Sequence, residues 1–107
     1  MASELTEGLS AASLAKFKVL QHHFVAGLAA RWRAVADAAT PPELQAELHR
    51  LSGAAGSYGF DRLSQCARAA ELSSTGAAKP ALAQALALVE AEINLAQTLV
   101  QEGSSTG

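Results

Sequence analysis

The chain has 107 residues and is poor in the residue types on which several protein classes depend. Its one cysteine, Cys66, excludes an internal disulfide framework and cannot form a cysteine-based metal site alone. It has no glycine-rich phosphate-binding loop, so no nucleotide site is expected. Polar and apolar residues do not alternate with a period of two, which argues against a fold that contains β-strands.

The chain also lacks an excess of charge of either sign. It has 8 Lys and Arg residues against 10 Asp and Glu residues, a net charge of −2, and the basic residues are scattered. Nucleic-acid binding normally needs a clustered basic face, so no nucleic-acid partner is expected. Because no long apolar run occurs, we expect neither a signal peptide nor a membrane span. The expected location is the cytoplasm, without a membrane partner.

Helix-forming residues are abundant instead, because 50% of the chain is hydrophobic and alanine supplies a large part of that half. Apolar residues recur at spacings of three and four in four segments, which is typical of amphipathic helices. We predict one all-α domain over residues 1–107, an antiparallel up-down-up-down four-helix bundle with flexible ends at about 1–10 and 103–107. A monomer is expected, since no further apolar stripe is evident.

Prolines, glycines and capping residues indicate where the four helices begin and end. The first spans about 14–39, and Thr40, which precedes two prolines, is placed to cap the second over about 42–58. Gly59 ends the second helix, and the third runs over about 60–72. Residues 73–76 form a loop, and the fourth helix starts at Lys79-Pro80. A short helix over 10–16 is an additional candidate before the bundle.

The apolar side of each predicted helix is expected to form the core. These residues are Phe17, Leu20, Phe24, Leu28, Trp32 and Val35 in the first helix, Leu44, Leu48, Leu51, Ala55 and Tyr58 in the second, Leu63, Cys66, Ala67 and Ala70 in the third, and Leu82, Leu86, Val89, Ile93, Ala96 and Val100 in the fourth.

The most informative residue is His49, midway along the second predicted helix. Ser52, Gly53 and Gly56 follow it at i+3, i+4 and i+7, and therefore lie on the same helix face. Inside a helix, glycine costs about 1 kcal/mol relative to alanine, so two glycines on one face indicate a packing or access requirement. The face beside the imidazole is expected to be open to a partner.

Three kinds of chemistry are considered for this histidine. A hydrolase needs a carboxylate that orients the ring and an oxyanion hole, and the sequence near His49 indicates neither. A metal site needs more ligands, but no His-x-x-x-His or Glu-x-x-His pair includes His49, so no metal is expected. The remaining interpretation is that the imidazole is itself a nucleophile, which takes a phosphoryl group from a donor that a partner brings.

The residues that follow His49 resemble a known family. The run His49-Arg-Leu-Ser-Gly-Ala-Ala-Gly-Ser-Tyr-Gly-Phe, with the Ala-Glu-Leu that ends at Leu72, resembles the histidine-containing phosphotransfer (Hpt) domains of bacterial phosphorelays. The family pattern is His-x-x-Lys-Gly, a short run of small residues, an apolar residue and then a glycine. His49, Gly53, Tyr58 and Gly59 match this pattern in register.

The resemblance implies that His49 is phosphorylated on Nε2 and exchanges the phosphoryl group with an aspartate of a response-regulator receiver domain. A hybrid sensor histidine kinase is the other partner that it implies. The chain would be a carrier and not an enzyme, with no cofactor of its own, and magnesium is expected on the partner receiver domain. The alternative is a module of the same fold that docks a receiver or sensor kinase without transfer.

One residue departs from the family pattern, because Ser52 stands where the family usually has a lysine whose ammonium lies near the phosphoryl group. A hydroxyl donates a hydrogen bond but no charge, so we expect weaker stabilisation of phospho-His49. Arg50 projects about 100° away around the helix and is a poor substitute. A negative charge at Glu71 is expected to repel phosphate. The residues expected to support His49 or to admit its partner are Gln45, Ser52, Gly53, Gly56, Arg68 and Glu71.

Overall fold

A computed structural model of the chain describes residues 11–74 and 79–106. Within these ranges the backbone forms helices and no strands, so the all-α prediction is confirmed. The up-down-up-down order of the bundle stays a prediction. The described helices are α1 (Ala11–Ala26), α2 (Leu28–Asp37), α3 (Pro41–Ser57), α4 (Asp61–Ser74) and α5 (Lys79–Thr106).

The first predicted helix, 14–39, is divided into α1 and α2 at Gly27. This glycine keeps a nearly helical backbone, with φ −87° and ψ −4°, and its N–H donates to the carbonyl oxygens of His23 at 3.2 Å and Phe24 at 3.1 Å. Glycine is a poor helix former, which favours a break at this position. Residues 11–16 are the first turns of α1, so the prediction of a separate short helix over 10–16 is wrong for its described part.

The start of α3 is fixed by the predicted cap. The Oγ1 atom of Thr40 accepts a hydrogen bond from the backbone N–H of Glu43 at 3.3 Å, and Pro41 occupies the first helical position. The Glu43 carboxylate in turn accepts from the N–H of Ala39 at 3.0 Å. These two contacts satisfy backbone donors at the helix start that have no partner within the helix, and they confirm the cap at Thr40.

The connection between α3 and α4 depends on Gly59, whose φ of +82° lies in the left-handed region that favours glycine. The N–H of Gly59 donates to the carbonyl oxygen of Gly56 at 3.3 Å, and the N–H of Phe60 donates to that of Ala55 at 2.9 Å. This pair of bonds is a Schellman motif, which ends a helix and satisfies its last carbonyls. The predicted stop at Gly59 is therefore confirmed, and α4 starts two residues later.

The far end of α4 and the end of α5 differ from the prediction. Ser73 and Ser74 were expected in a loop but belong to α4, where the Ser74 hydroxyl donates to the carbonyl oxygen of Glu71 at 2.6 Å. Thr75 and Gly76 lie outside the described residues. The start of α5 at Lys79 is as predicted. Its helical backbone continues over 103–106, part of the end expected to be flexible, while residues 1–10 and 107 lie outside the described ranges.

The core contains most of the residues that the helical periodicity selects. Trp32, Leu44, Tyr58, Cys66, Leu86 and Val100 are partly buried against it rather than enclosed. Val25 and Ala85 are buried although the sequence analysis did not select them. The buried core consists of Phe24, Val25, Leu28, Val35, Leu48, Leu51, Ala55, Leu63, Ala67, Ala70, Ala85, Val89, Ile93 and Ala96.

The prediction that Phe17 and Leu20 are core residues is wrong, since they are 36% and 49% exposed. All residues over 11–20 are exposed, and the buried part of α1 begins only at Phe24. There the Phe24 ring packs 5.3 Å from the ring of Tyr58 and 5.5 Å from that of Phe60. The described helices thus cover only the C-terminal end of α1, where it packs against the α3–α4 connection. The earlier turns of α1 extend beyond this contact and are exposed.

Polar contacts tie the outer helices to this core. The indole N–H of Trp32 in α2 donates to Glu90 in α5 at 3.1 Å, and Arg62 in α4 pairs with Glu92 in α5 at 3.3 Å. The side-chain amide of Gln21 in α1 donates to the carbonyl oxygen of Tyr58 at 2.8 Å. None of the helices in the described ranges has the length and apolar composition that crossing a bilayer requires.

Cys66 is half-buried on α4, and burial raises the pKa of its thiol, with the negative charge of Glu92 adding to the effect. A raised pKa lowers the fraction of reactive thiolate at a given pH. We predict that iodoacetamide alkylates Cys66 in the folded protein more slowly than in the guanidinium-unfolded chain, with the rate rising at a higher pH. Mass spectrometry over a pH series measures both profiles, and superimposable profiles would contradict the prediction.

Candidate functional site

His49 lies midway along α3 and points away from the core. Its neighbours Leu48 and Leu51 are fully buried, which fixes the orientation of the helix, while the side chain of His49 is 78% exposed. The amphipathic pattern of α3 therefore holds the imidazole on the outer side of a rigid element. Exposure alone does not make a histidine reactive, so the atoms around its two ring nitrogens decide its chemistry.

Glu71 of α4 contacts the imidazole. The Nδ1 atom of His49 lies 3.0 Å from Oε2 and 3.2 Å from Oε1 of Glu71, whose side chain is only 14% exposed. An ionised carboxylate only accepts hydrogen bonds, so Nδ1 carries the proton in this contact. When the ring is neutral, its free lone pair is then on Nε2, the ring nitrogen that does not contact Glu71.

The sequence analysis expected the charge of Glu71 to repel a phosphoryl group. In the structure the carboxylate is on the Nδ1 side of the ring and holds the imidazole in one tautomer and orientation. The sequence around His49 showed no orienting carboxylate, because this one comes from a residue 22 positions later in the chain. In this tautomer Nε2 is the ring nitrogen whose lone pair is free.

Ser52, one turn after His49, is turned toward α4 rather than toward the imidazole. Its hydroxyl donates to the carbonyl oxygen of Ser64 at 3.1 Å, and the hydroxyl of Ser64 donates back to the carbonyl oxygen of Ser52 at 2.9 Å. Both serines are half-buried between the helices. The expectation that the Ser52 hydroxyl serves a phosphoryl group on His49 is therefore not supported, because this hydroxyl is used in packing α3 on α4.

A shallow depression of about 630 Å³ surrounds His49. Five of the six residues predicted to surround the histidine line it, and Gln45, which is exposed one turn before His49, does not. Arg50 points elsewhere and pairs with Glu47 on its own helix. The sequence analysis missed Ser57, Ser64 and Leu72, although Ser64 lies seven residues before Glu71, a spacing that shares a helix face. The lining consists of His49, Ser52, Gly53, Gly56, Ser57, Ser64, Arg68, Glu71 and Leu72.

Gly53 and Gly56, the two glycines near His49, differ in whether packing requires glycine at their positions. A Cβ atom built on Gly56 would lie 3.3 Å from the Oγ atom of Ser64, so Gly56 permits the close approach of α3 and α4. A Cβ atom on Gly53 would meet nothing within 4 Å. Packing against the described residues therefore does not require glycine at position 53, and the surface beside the imidazole is open there.

No group of three or more His, Cys, Asp or Glu side chains within the described ranges is arranged to hold a metal ion. The depression around His49 contains one imidazole, one carboxylate and one guanidinium, together with serine hydroxyls. This set supports nucleophilic attack by an imidazole on a group that a partner delivers.

Comparison with protein families shows that the chain matches the model described as Hpt domain over residues 5–99. The match covers most of the 107 residues and includes His49 and the helices that form the depression. No curated protein and no solved structure matches the chain.

We predict that Gly53→Ala raises the free energy of unfolding by about 0.5–1 kcal/mol, because alanine is the better helix former and its Cβ meets open space. The matched control is Gly59→Ala, which forces a side chain into the left-handed region and should lower stability by about 1–2 kcal/mol. Urea denaturation followed by circular dichroism measures both. A destabilised Gly53→Ala would show that the fold itself needs this glycine.

Proposed function

The chain belongs to the Hpt domain family, and on that basis we propose that His49 is the residue that carries the phosphoryl group. Members of this family are phosphocarrier modules of two-component signalling, and not enzymes with a nucleotide site. The hydrogen bond between His49 and Glu71 is the single observation that best supports the assignment, because it leaves Nε2 as an exposed nucleophile. The proposed partners are a response-regulator receiver domain and a hybrid sensor histidine kinase.

The proposed transfer begins with an aspartyl phosphate on the receiver domain. The lone pair of His49 Nε2 attacks the phosphorus atom, and the N–P bond forms as the P–O bond to the aspartate breaks. The aspartate leaves as a carboxylate, and no proton moves. The imidazole keeps its Nδ1 proton and becomes positively charged. Reversal of the same step returns the phosphoryl group to a receiver aspartate.

Glu71 contributes to this step by stabilising the positive ring. Its carboxylate already contacts Nδ1 at 3.0 Å, and the hydrogen bond strengthens as the imidazole becomes cationic. The incoming phosphoryl group bonds to Nε2 on the other side of the ring. The carboxylate thus acts on the ring charge while the imidazole separates it from the phosphoryl oxygens.

Access of the partner depends on the open side of α3. Gly53, one turn beyond His49, presents backbone and no side chain, so a receiver domain can bring its aspartate up to the imidazole. We propose, from what membership of the Hpt family implies, that magnesium is held by the receiver domain.

The function is tested by incubating the protein with a phosphorylated receiver domain and assaying for an acid-labile, base-stable phosphoryl group. We predict label on the wild type and none on His49→Gln, because the amide has no nucleophilic ring nitrogen. His22→Gln is the matched control: His22 is also exposed on a helix, and this variant should be labelled like the wild type.

The same experiment separates transfer from docking without transfer. The alternative is supported by Ser52, which offers no cation beside the histidine and is bonded to Ser64. If several phosphorylated receivers bind the wild type and none labels it, the protein is a docking module and the proposal that it carries a phosphoryl group is wrong. Equal labelling of wild type and His49→Gln would show that another residue accepts the phosphoryl group.

The role of Glu71 gives a further prediction. Glu71→Gln replaces a charged acceptor by an amide, so the transfer rate from the receiver should fall by about five- to thirty-fold, from the loss of about 1–2 kcal/mol of charge-assisted hydrogen bonding. In ¹⁵N NMR spectra the Nδ1–H tautomer of His49 should become less populated. Glu47→Gln, which changes the charge of a neighbouring carboxylate on α3, is the control. A Glu71→Gln variant with wild-type tautomer and rate would contradict this role.

A further inference from the structure

The depression around His49 has a shortage of positive charge for the group it is proposed to carry. A phosphoryl group adds about two negative charges, and the positive charge that the ring gains on loading offsets only the one that Glu71 contributes beside it. The Ser52 hydroxyl is bonded to Ser64, and Arg50 pairs with Glu47 away from the depression. A cation that neutralises the loaded site therefore has to come from elsewhere.

Contacts between α3 and α4 show which residue faces the position of Ser52. The helices run antiparallel, because His49 meets Glu71 while Gly56, seven residues later, meets Ser64, seven residues earlier. Three residues after His49 is Ser52, and three residues before Glu71 is Arg68. Ser52, which also contacts Ser64, and Arg68 therefore lie within about one helical turn of each other along the helix pair, and each is about one turn from the level of the imidazole.

Arg68 is also on the correct face of α4. It lies four residues after Ser64 and three before Glu71, so all three share the side that faces α3. Arg68 lines the depression, is exposed, and has no hydrogen-bond or ion-pair partner among the residues that the structure describes. Besides the imidazole, it is the one basic side chain in the described lining.

We propose that Arg68 binds the phosphoryl group on His49 and supplies the positive charge that Ser52 does not. This inference rests on the proposed function of His49 as phosphoryl carrier. A guanidinium presents a planar set of donors that matches phosphate oxygens, and its long stem lets the charge reach across the depression from α4. Arg68 is thereby a binding residue for the phosphoryl group, and the nucleophile remains His49.

The expected effect is on the lifetime of the phosphorylated form. Hydrolysis of the N–P bond passes through a loose transition state in which the leaving phosphoryl group has less negative charge than in the ground state. A guanidinium bound to the phosphoryl oxygens stabilises the ground state more and slows hydrolysis. Because the site is open to water, we expect an effect of about two- to five-fold.

The experiment phosphorylates the protein without a partner, using phosphoramidate as the donor. The decay of phospho-His49 is followed by ³¹P NMR, and His49→Gln serves as the blank for label on other histidines. We predict that Arg68→Gln hydrolyses about two- to five-fold faster than the wild type, and that Arg68→Lys restores part of the difference. The phosphoryl resonance should also titrate at a higher pH in Arg68→Gln. Arg33→Gln, an exposed arginine on α2 that does not line the depression, is the control for net charge.

The outcomes separate this inference from the proposed function. His49-dependent loading with equal decay rates and equal titration in wild type and Arg68→Gln would overturn the role of Arg68 and leave the carrier function supported. No His49-dependent label from phosphoramidate or from a phosphorylated receiver would overturn the carrier function and the inference with it. If adding Ser52→Lys to Arg68→Gln slowed the decay of phospho-His49 to the wild-type rate, the result would support the inference that Arg68 supplies the charge that a lysine at position 52 would supply.

Discussion

The close packing of α3 on α4 is the constraint on which the rest of the site depends. Two reciprocal hydrogen bonds between Ser52 and Ser64 hold the helices at one level, and Gly56 permits the approach because it has no Cβ atom to meet the Ser64 hydroxyl. The left-handed turn at Gly59 fixes how α4 leaves α3. With the register fixed, two residues that are 22 positions apart in sequence meet as an imidazole and a carboxylate.

This register divides the work of the site between two helices. The proposed nucleophile, His49, and the open face belong to α3, whereas the carboxylate of Glu71 and the guanidinium of Arg68 belong to α4. Leu51 and Leu63, fully buried behind the depression, hold the two helices in place from the core side. The depression is thus a product of tertiary packing, and a local opening of the α3–α4 pair would separate His49 from Glu71 without unfolding either helix.

Local signals in the sequence predicted three of the helix boundaries, because caps and turns depend on a few neighbouring atoms. Thr40, Gly59 and Lys79 show this. Periodicity was less successful at Phe17 and Leu20, because it identifies an apolar helix face but not whether another helix covers it. The family pattern located His49 and its small neighbours. The contact of Glu71 with Nδ1 was not predicted for a different reason: charge alone does not say which ring nitrogen a carboxylate meets.

Ser52 shows why one position cannot both pack closely between two helices and supply a positive charge to the site. A hydroxyl donates and accepts in a small volume, so it can complete the reciprocal pair with Ser64 between two close helices. A lysine at that position would bring charge but lose these bonds, and its ammonium would have to remain in water. With Ser52 used in packing, the cation in the described lining of the depression lies across the helix pair, at Arg68. Before loading, its positive charge and the negative charge of Glu71 nearly cancel. The proposed phosphoryl group then enters a depression in which the carboxylate of Glu71 holds the imidazole ring and the guanidinium of Arg68 binds the phosphoryl oxygens.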